Sequence, residues 1–413
     1  MDRFLNRRAA LPDESARSMG MLRCHYLDWL RVMAALTVFL LHNLRFFDFM
    51  GWHVKNPEQS EWAMQLVLFA VTWTMPLFIF IAGSGAAFAL RAYQERAFVS
   101  RRFRRLMLPY FLAVAVLIPP QKYLEAVHHG SYGGSFPEFI KVYVPFLLQT
   151  DLGWTPIWIG HVAYHAWTLC FLFLFSLGIV PIFRWLWSRP GHNLLVRLVG
   201  WSRYPWGMLA FALPAVAINM ALKPWMPAYL DWPDFFYLAW FFALGFLFHF
   251  EVRLAEAAQK HCRVWLIMAL AASVFIHCMA LFTQNMIRWM DHPSYSWDYL
   301  GFQMIRSLGS FAWTMLLFGL ARRFLNRPNR RLAYWNEAVL PFYLLHQTVI
   351  LAVGYLVVAW DATIPKKFLI IATSSFLIII AIYEGLIKRF AAPRFLFGMR
   401  SKRTHQSSGR PKR

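Results

Sequence analysis

The sequence predicts an all-α polytopic membrane protein of about ten transmembrane helices with both termini in the cytoplasm. Three observations predict it. Hydrophobic residues make up 59% of the 413 residues and charged ones only 15%, which leaves too few charges to cover a water-facing surface. Apolar runs of about 20 residues, the length a helix needs to cross the hydrocarbon core, recur along the chain. Lys and Arg concentrate in alternate loops, as the positive-inside rule requires. The mean hydropathy of +0.42, with 39 Phe and 20 Trp, agrees with lipid as the main solvent.

Read from turn to turn, the spans fall at roughly 27–47, 63–90, 106–120, 157–183, 205–222, 234–250, 264–283, 301–320, 338–359 and 368–387. The third is short and ends at Pro119-Pro120; the fourth starts at Trp158 and includes an interfacial stretch up to Tyr164. Loops on the side of the N-terminal segment hold 32 of the 42 Lys and Arg, loops on the other side hold 7, and Arg31, Arg45 and Arg306 lie within spans. The net charge of +22 is therefore a product of topology, and nucleic acid is excluded as a partner.

The first 26 residues carry five Arg without an apolar stretch, so no cleavable signal peptide is expected. Residues 1–26 read as a cytoplasmic basic tail, 27–390 as the transmembrane domain, and 391–413 as a second basic tail whose end is expected to be disordered or to lie on anionic headgroups. The segment 121–156, with His128-His129-Gly130 and Gly133-Gly134, is expected to cover a site opening outward. The four Cys are scattered without a CxxC pair, and neither a disulfide framework nor a bound metal is expected.

Ionisable groups inside spans cost free energy in hydrocarbon, so each is a functional candidate by default. Asp28 and Arg31 lie at i and i+3 on one helical face. Eleven residues separate Arg31 from His42, which returns the helix to within roughly 20° and raises it roughly 16 Å. Asp28, Arg31 and His42 thus form one stripe. Arg101-Arg102-Phe103-Arg104-Arg105 precedes the third span, and guanidiniums at a helix start suit a multiply phosphorylated ligand, although positive-inside anchoring alone explains such a run. His165 and His346 lie in the fourth and ninth spans. His161 and His165 stand at i and i+4, but no carboxylate accompanies them as in HExxH, so metal is not expected there. Glu384 and Arg306 are read as members of structural ion pairs.

At these residues the chain resembles a family, the acyltransferase-3 membrane proteins, over about 25–395, and within it most closely the glucan-biosynthesis branch of periplasmic glucan succinyltransferases. Tyr26-Leu27-Asp28-Trp29-Leu30-Arg31 followed by His42 is similar to the family's first-helix signature. Met75-Pro76-Leu77-Phe78-Ile79-Phe80-Ile81-Ala82-Gly83 resembles its MPLFFFISG stretch, with Ala82 where Ser is usual. Arg102-Phe103-Arg104-Arg105-Leu106 with Pro109 is similar to its RxxR motif, and His165-Ala166-Trp167-Thr168-Leu169 to its HLWFL. Asn336-Glu337-Ala338 through Tyr343 and His346, then Tyr383-Glu384 and Arg394-Phe395-Leu396-Phe397-Gly398, resemble the glucan-type branch near its end.

The resemblance implies transfer of an acyl group, acetyl or succinyl, from cytoplasmic acyl-CoA as co-substrate to a hydroxyl of an envelope glycan or similar acceptor, in the bacterial inner membrane and with no resident cofactor. On it, Arg102 and Arg105 hold the CoA phosphates and His42 acts as general base or as a covalent acyl carrier. Arg31 orients the donor or stabilises the oxyanion, Asp28 fixes Arg31, and His165, His346, Trp167, Tyr343 and Gly83 line the substrate cavity, Gly83 alternatively allowing close helix packing. Ten spans with buried ionisable groups would also serve a transporter or flippase of an envelope metabolite, and a family member without catalysis would serve as a membrane scaffold.

Overall fold

The computed structural model describes residues 24–148, 153–283, 285, 288–289 and 292–399; the N-terminal tail up to residue 23 and the end of the C-terminal tail lie outside the described residues. Every regular element among the described residues is helical. Helix α1 spans His25–Leu44 and α2 spans Glu61–Ala92. Helix α3, Glu95–Leu112, runs through a π turn at Ala113–Leu117 into α4, Ile118–His128, and α5 is Phe136–Leu148. Helix α6, Ile157–Ala163, passes through a 3₁₀ turn at Tyr164–Ala166 into α7, Trp167–Leu186. The chain continues with α8 (Arg189–Ser202), α9 (Pro205–Leu209), α10 (Leu213–Leu222), α11 (Trp232–Phe250), α12 (Val252–Lys260) and α13 (Cys262–Phe282). Helices α14 (Trp297–Phe324), α15 (Arg330–Val357), α16 (Ile364–Ile382) and the short α17 (Ala391–Leu396) complete the bundle.

Ten of these helices, with α3–α4, α6–α7, α9–α10 and the π-helical extension of α16 each counted as one, are long and apolar enough to cross a membrane. The protein is an all-α polytopic membrane protein. An even number of crossings brings residues 24 and 399 to one face, the tail face; the other is the far face.

Three local features shape the bundle. Pro76 inside α2 leaves the Thr72 carbonyl without its helical donor, and the Ser310 hydroxyl of α14 supplies one instead. The third span does not end at Pro119-Pro120 as expected but runs on to His128. The π turn places both prolines in the first turn of α4, where no amide donor is required, and the Leu117 carbonyl accepts from Gln121 Nε2 at 2.9 Å and Thr348 Oγ1 at 3.0 Å. The fourth span is broken at Tyr164, which adopts φ 45°, a costly conformation for a bulky residue.

Helices α2 and α11 meet at glycines. A Cβ on Gly83 would lie 2.0 Å from the Phe242 carbonyl oxygen, and one on Gly245 would lie 1.9 Å from that of Phe80. Backbones at this separation admit no side chain. Gly245→Ala is expected to cost about 1–3 kcal/mol by overpacking, seen as a lower thermal midpoint of the purified protein; an unchanged midpoint would show that the crossing can relax.

Candidate active site

The loop after α1 builds one wall of the site. Asp48 is fully buried and pairs with Arg45 and with Lys55, the latter at 2.8 Å. Lys55 also donates to the Arg45 carbonyl at 2.9 Å. Burial lowers the Lys55 amine from its ordinary value and Asp48 pushes it back up. Arg45 lies 5.1 Å from the Trp52 ring centre, and Trp52 stacks in turn on His42, with ring centres 5.2 Å apart.

His42, one turn from the far end of α1, meets His346 of α15, with Nδ1 and Nε2 at 2.7 Å. His346 Nδ1 bonds the Tyr343 carbonyl, which can only accept, so that nitrogen carries a proton. In the neutral ring His346 Nε2 is then an acceptor, and His42 Nδ1 is the donor. This fixes the tautomer of His42: its Nε2 holds the lone pair. His346 is 1% exposed, while His42 keeps partial exposure.

His165 packs edge-on to His346 with ring centres 5.0 Å apart. Its Nε2 bonds the Leu344 carbonyl at 3.1 Å, and Tyr343 donates its hydroxyl to the His165 carbonyl. Trp167 is buried two residues on, with its ring 6.3 Å from that of Tyr229. His42, His346, His165 and Tyr343 thus gather in one cluster, with Trp167 two residues beyond His165. Gly83 does not join it; it sits in the contact with Phe242 described above.

A second layer lies toward the far face. His53 Nε2 is 3.0 Å from Gln347 Nε2, and its Nδ1 is 3.1 Å from a Glu125 carboxylate oxygen. Glu125 also accepts the Tyr164 hydroxyl, and the Tyr164 ring stacks on His53 with centres 4.3 Å apart. Lys122 sits 4.2 Å from the centre of the Tyr164 ring. This layer explains the strained backbone of Tyr164, and His53, Glu125, Tyr164 and Gln347 are functional candidates that the sequence reading missed. Gln347 follows His346 inside an apolar run and was the one signal that could have pointed here. Within the outer segment 121–156, α4 lies against the site, with Lys122 and Glu125 in this layer and His128 Nε2 accepting the Lys55 amide of the loop wall at 3.1 Å.

At the tail face, Arg31 pairs with Asp28 at 3.3 Å and donates to Asn336 of α15 at 2.7 Å. Arg102 lies within charge range of Arg105 and Arg31. Its guanidinium stands 4.0 Å from where a Cβ on Gly85 would be, so Gly85 rather than Gly83 opens space beside an arginine. Arg105 is exposed. The expected C-terminal tail begins instead as helix α17, whose buried Arg394 pairs with Glu337 at 2.8 Å. Gly398, at φ +67°, packs against the Arg105 carbonyl. Glu384 pairs with Lys388 at 2.7 Å, as expected of a structural carboxylate. Arg306 does not: no ion pair to it occurs among the described residues.

The site therefore offers an imidazole with a defined free nitrogen at depth and a set of guanidiniums at the tail face. One family model, an acyltransferase domain, matches residues 25–384. No curated protein and no solved structure matches the chain.

Proposed function

The chain belongs to the acyltransferase-3 family of membrane acyltransferases, and from that premise we propose that it moves an acetyl or succinyl group from acyl-CoA to a hydroxyl of an envelope glycan or similar acceptor. On this reading the tail face is cytoplasmic, the membrane is the bacterial inner membrane, and Arg102, Arg105 and Arg31 hold the donor's phosphates at that face. The observation that carries the reading is the His42–His346 pair, which leaves His42 Nε2 as a base at depth in the bundle. That nitrogen takes the acceptor hydroxyl proton as the oxygen attacks the thioester carbonyl. The C–S bond breaks, and the imidazolium returns the proton to the leaving thiolate, so that ester and free CoA thiol are released. Asp28 holds Arg31 in place, and the resemblance to the glucan branch makes a glucan the acceptor class this reading favours.

The test uses radiolabelled acetyl-CoA and succinyl-CoA with membranes containing the protein, followed by recovery of envelope glycans. Wild type is expected to incorporate label from one donor. The double variant Arg102→Ala/Arg105→Ala is expected to raise the KM for that donor about tenfold or more, from the loss of charge-assisted phosphate contacts. Incorporation with unchanged KM would remove the arginines from the donor site, and no incorporation from either donor would remove the reaction.

A further inference from the structure

Away from the histidine cluster, Arg306 lies on the face of α14 that also carries Tyr299, Gln303 and Ser310, all buried, so it points into the bundle. It sits nine residues from the far end of that helix, roughly 14 Å deep. Its Nε is buried without a partner, and the buried Gln303 Oε1 and Asn219 Oδ1 are also unpartnered. Asn219 uses only its amide nitrogen, donating to Ser307 at 2.8 Å. Tyr237 of α11 is hydrogen-bonded to Ser310 and lies within charge range of Arg306.

The Asp234 carboxylate, which lies within charge range of Tyr237 as Arg306 does, is already engaged. Asp234 accepts from Lys223 at 3.0 Å and from the Leu230 amide at 2.9 Å. Lys223 is lowered from its ordinary value, first by burial and partly by the nearby charge of Arg306, which Asp234 opposes. Asp234, with Asp231 also in charge range, serves Lys223, and no ion pair to Arg306 occurs among the described residues. A cation inside a membrane bundle without a counter-ion is costly and marks a functional position, and unpartnered buried acceptors beside it call for hydroxyl donors.

The place connects with the proposed reaction site. Tyr229 precedes α11, leaves 69% of its surface open, and lies beside Trp167. Its hydroxyl lies within charge range of Asp234, Tyr343 and Arg45. Tyr229 stands between the two clusters as a neutral donor.

We infer that Arg306, with Gln303 and Asn219, forms a subsite in the far half of the bundle for a molecule carrying both an anionic group and hydroxyls, a phosphate or carboxylate on a polyol or sugar. Arg306 takes the anion, and the two amide oxygens take hydroxyls. Calling this molecule the acyl acceptor rests on the transferase reading; the binding site itself does not. The same chemistry is offered by a phospholipid headgroup and by a glycan phosphate.

The test is thermal unfolding and binding with the full chain in phosphatidylcholine nanodiscs, with phosphatidylglycerol added to the lipid or glucose 6-phosphate added to the buffer, and glucose as the neutral control. For wild type, one phosphate carrier is expected to raise the midpoint by a few degrees. Arg306→Gln is expected to lose that rise and weaken binding about tenfold or more, while Arg306→Lys keeps part of it. A response to phosphatidylglycerol alone identifies a headgroup, and a response to glucose 6-phosphate a sugar phosphate. No response to either in wild type, or an equal response in Arg306→Gln, overturns the subsite. If Arg306→Gln does not fold, Gln303→Leu is used in its place and is expected to weaken binding. Transfer assays on His42→Gln separate this from the reaction: Arg306-dependent binding beside His42-independent transfer removes the mechanism and keeps the subsite, and the reverse pattern removes the subsite alone.

Discussion

His42→Gln is expected to lower acyl transfer about 10²–10⁴-fold, the usual worth of a general base. Glutamine keeps a polar side chain of similar reach but cannot take a proton near neutral pH. The loss should fall on kcat, with the KM for acyl-CoA nearly unchanged, because on the transferase reading the donor is held at the tail face about 16 Å away. His346→Leu should also lower kcat, but less, since it removes the group that directs the His42 proton to Nδ1 while leaving an imidazole in place. A binding role for His42 would instead raise KM at constant kcat. Activity retained by His42→Gln would remove His42 from the chemistry and place the proton transfer on another group.

Asp48→Ala is expected to be the most destabilising single change, at about 3–5 kcal/mol. It would leave the buried Arg45 and the half-buried Lys55 without their shared acid and release the loop that carries Trp52 and His53. The sign of its pH dependence follows from Lys55. A lysine whose folded value lies below its unfolded one is protonated more readily in the unfolded chain, so stability rises with pH across the interval between the two. Without Asp48 that interval widens, and the variant should regain part of its loss on the alkaline side. Thermal midpoints of both proteins across pH check this; parallel profiles would show that Lys55 does not depend on Asp48.

The ten spans were legible because each must satisfy the hydrocarbon core by itself, so a local apolar run is sufficient signal. The stripe of Asp28, Arg31 and His42 was legible for a similar reason, since helical periodicity within one segment places all three. What was not legible depends on contacts across the fold. His53 sits in a loop without periodicity and gains meaning only through Glu125 and Gln347, 72 and 294 residues away. Gly83 and Gly85 are indistinguishable in sequence, yet one meets Phe242 and the other faces Arg102. Pro119-Pro120 read as a terminator because a change of helical register just before them leaves no mark in composition. Arg306 read as half of an ion pair because sequence shows that a cation is buried, not whether an acid is free to meet it.

Helices α1 and α15 run in the same direction and are tied at two levels, Arg31 to Asn336 and His42 to His346. Sliding either by one turn, about 5.4 Å, would break both ties together. On the transferase reading the pair works as a ruler. A donor gripped by its phosphates at the lower tie must present its acyl carbon at the upper one, and a short acyl phosphate cannot span that length however reactive it is. Selection among donors would then rest on reach before chemistry, with the long flexible arm of CoA as the measured part.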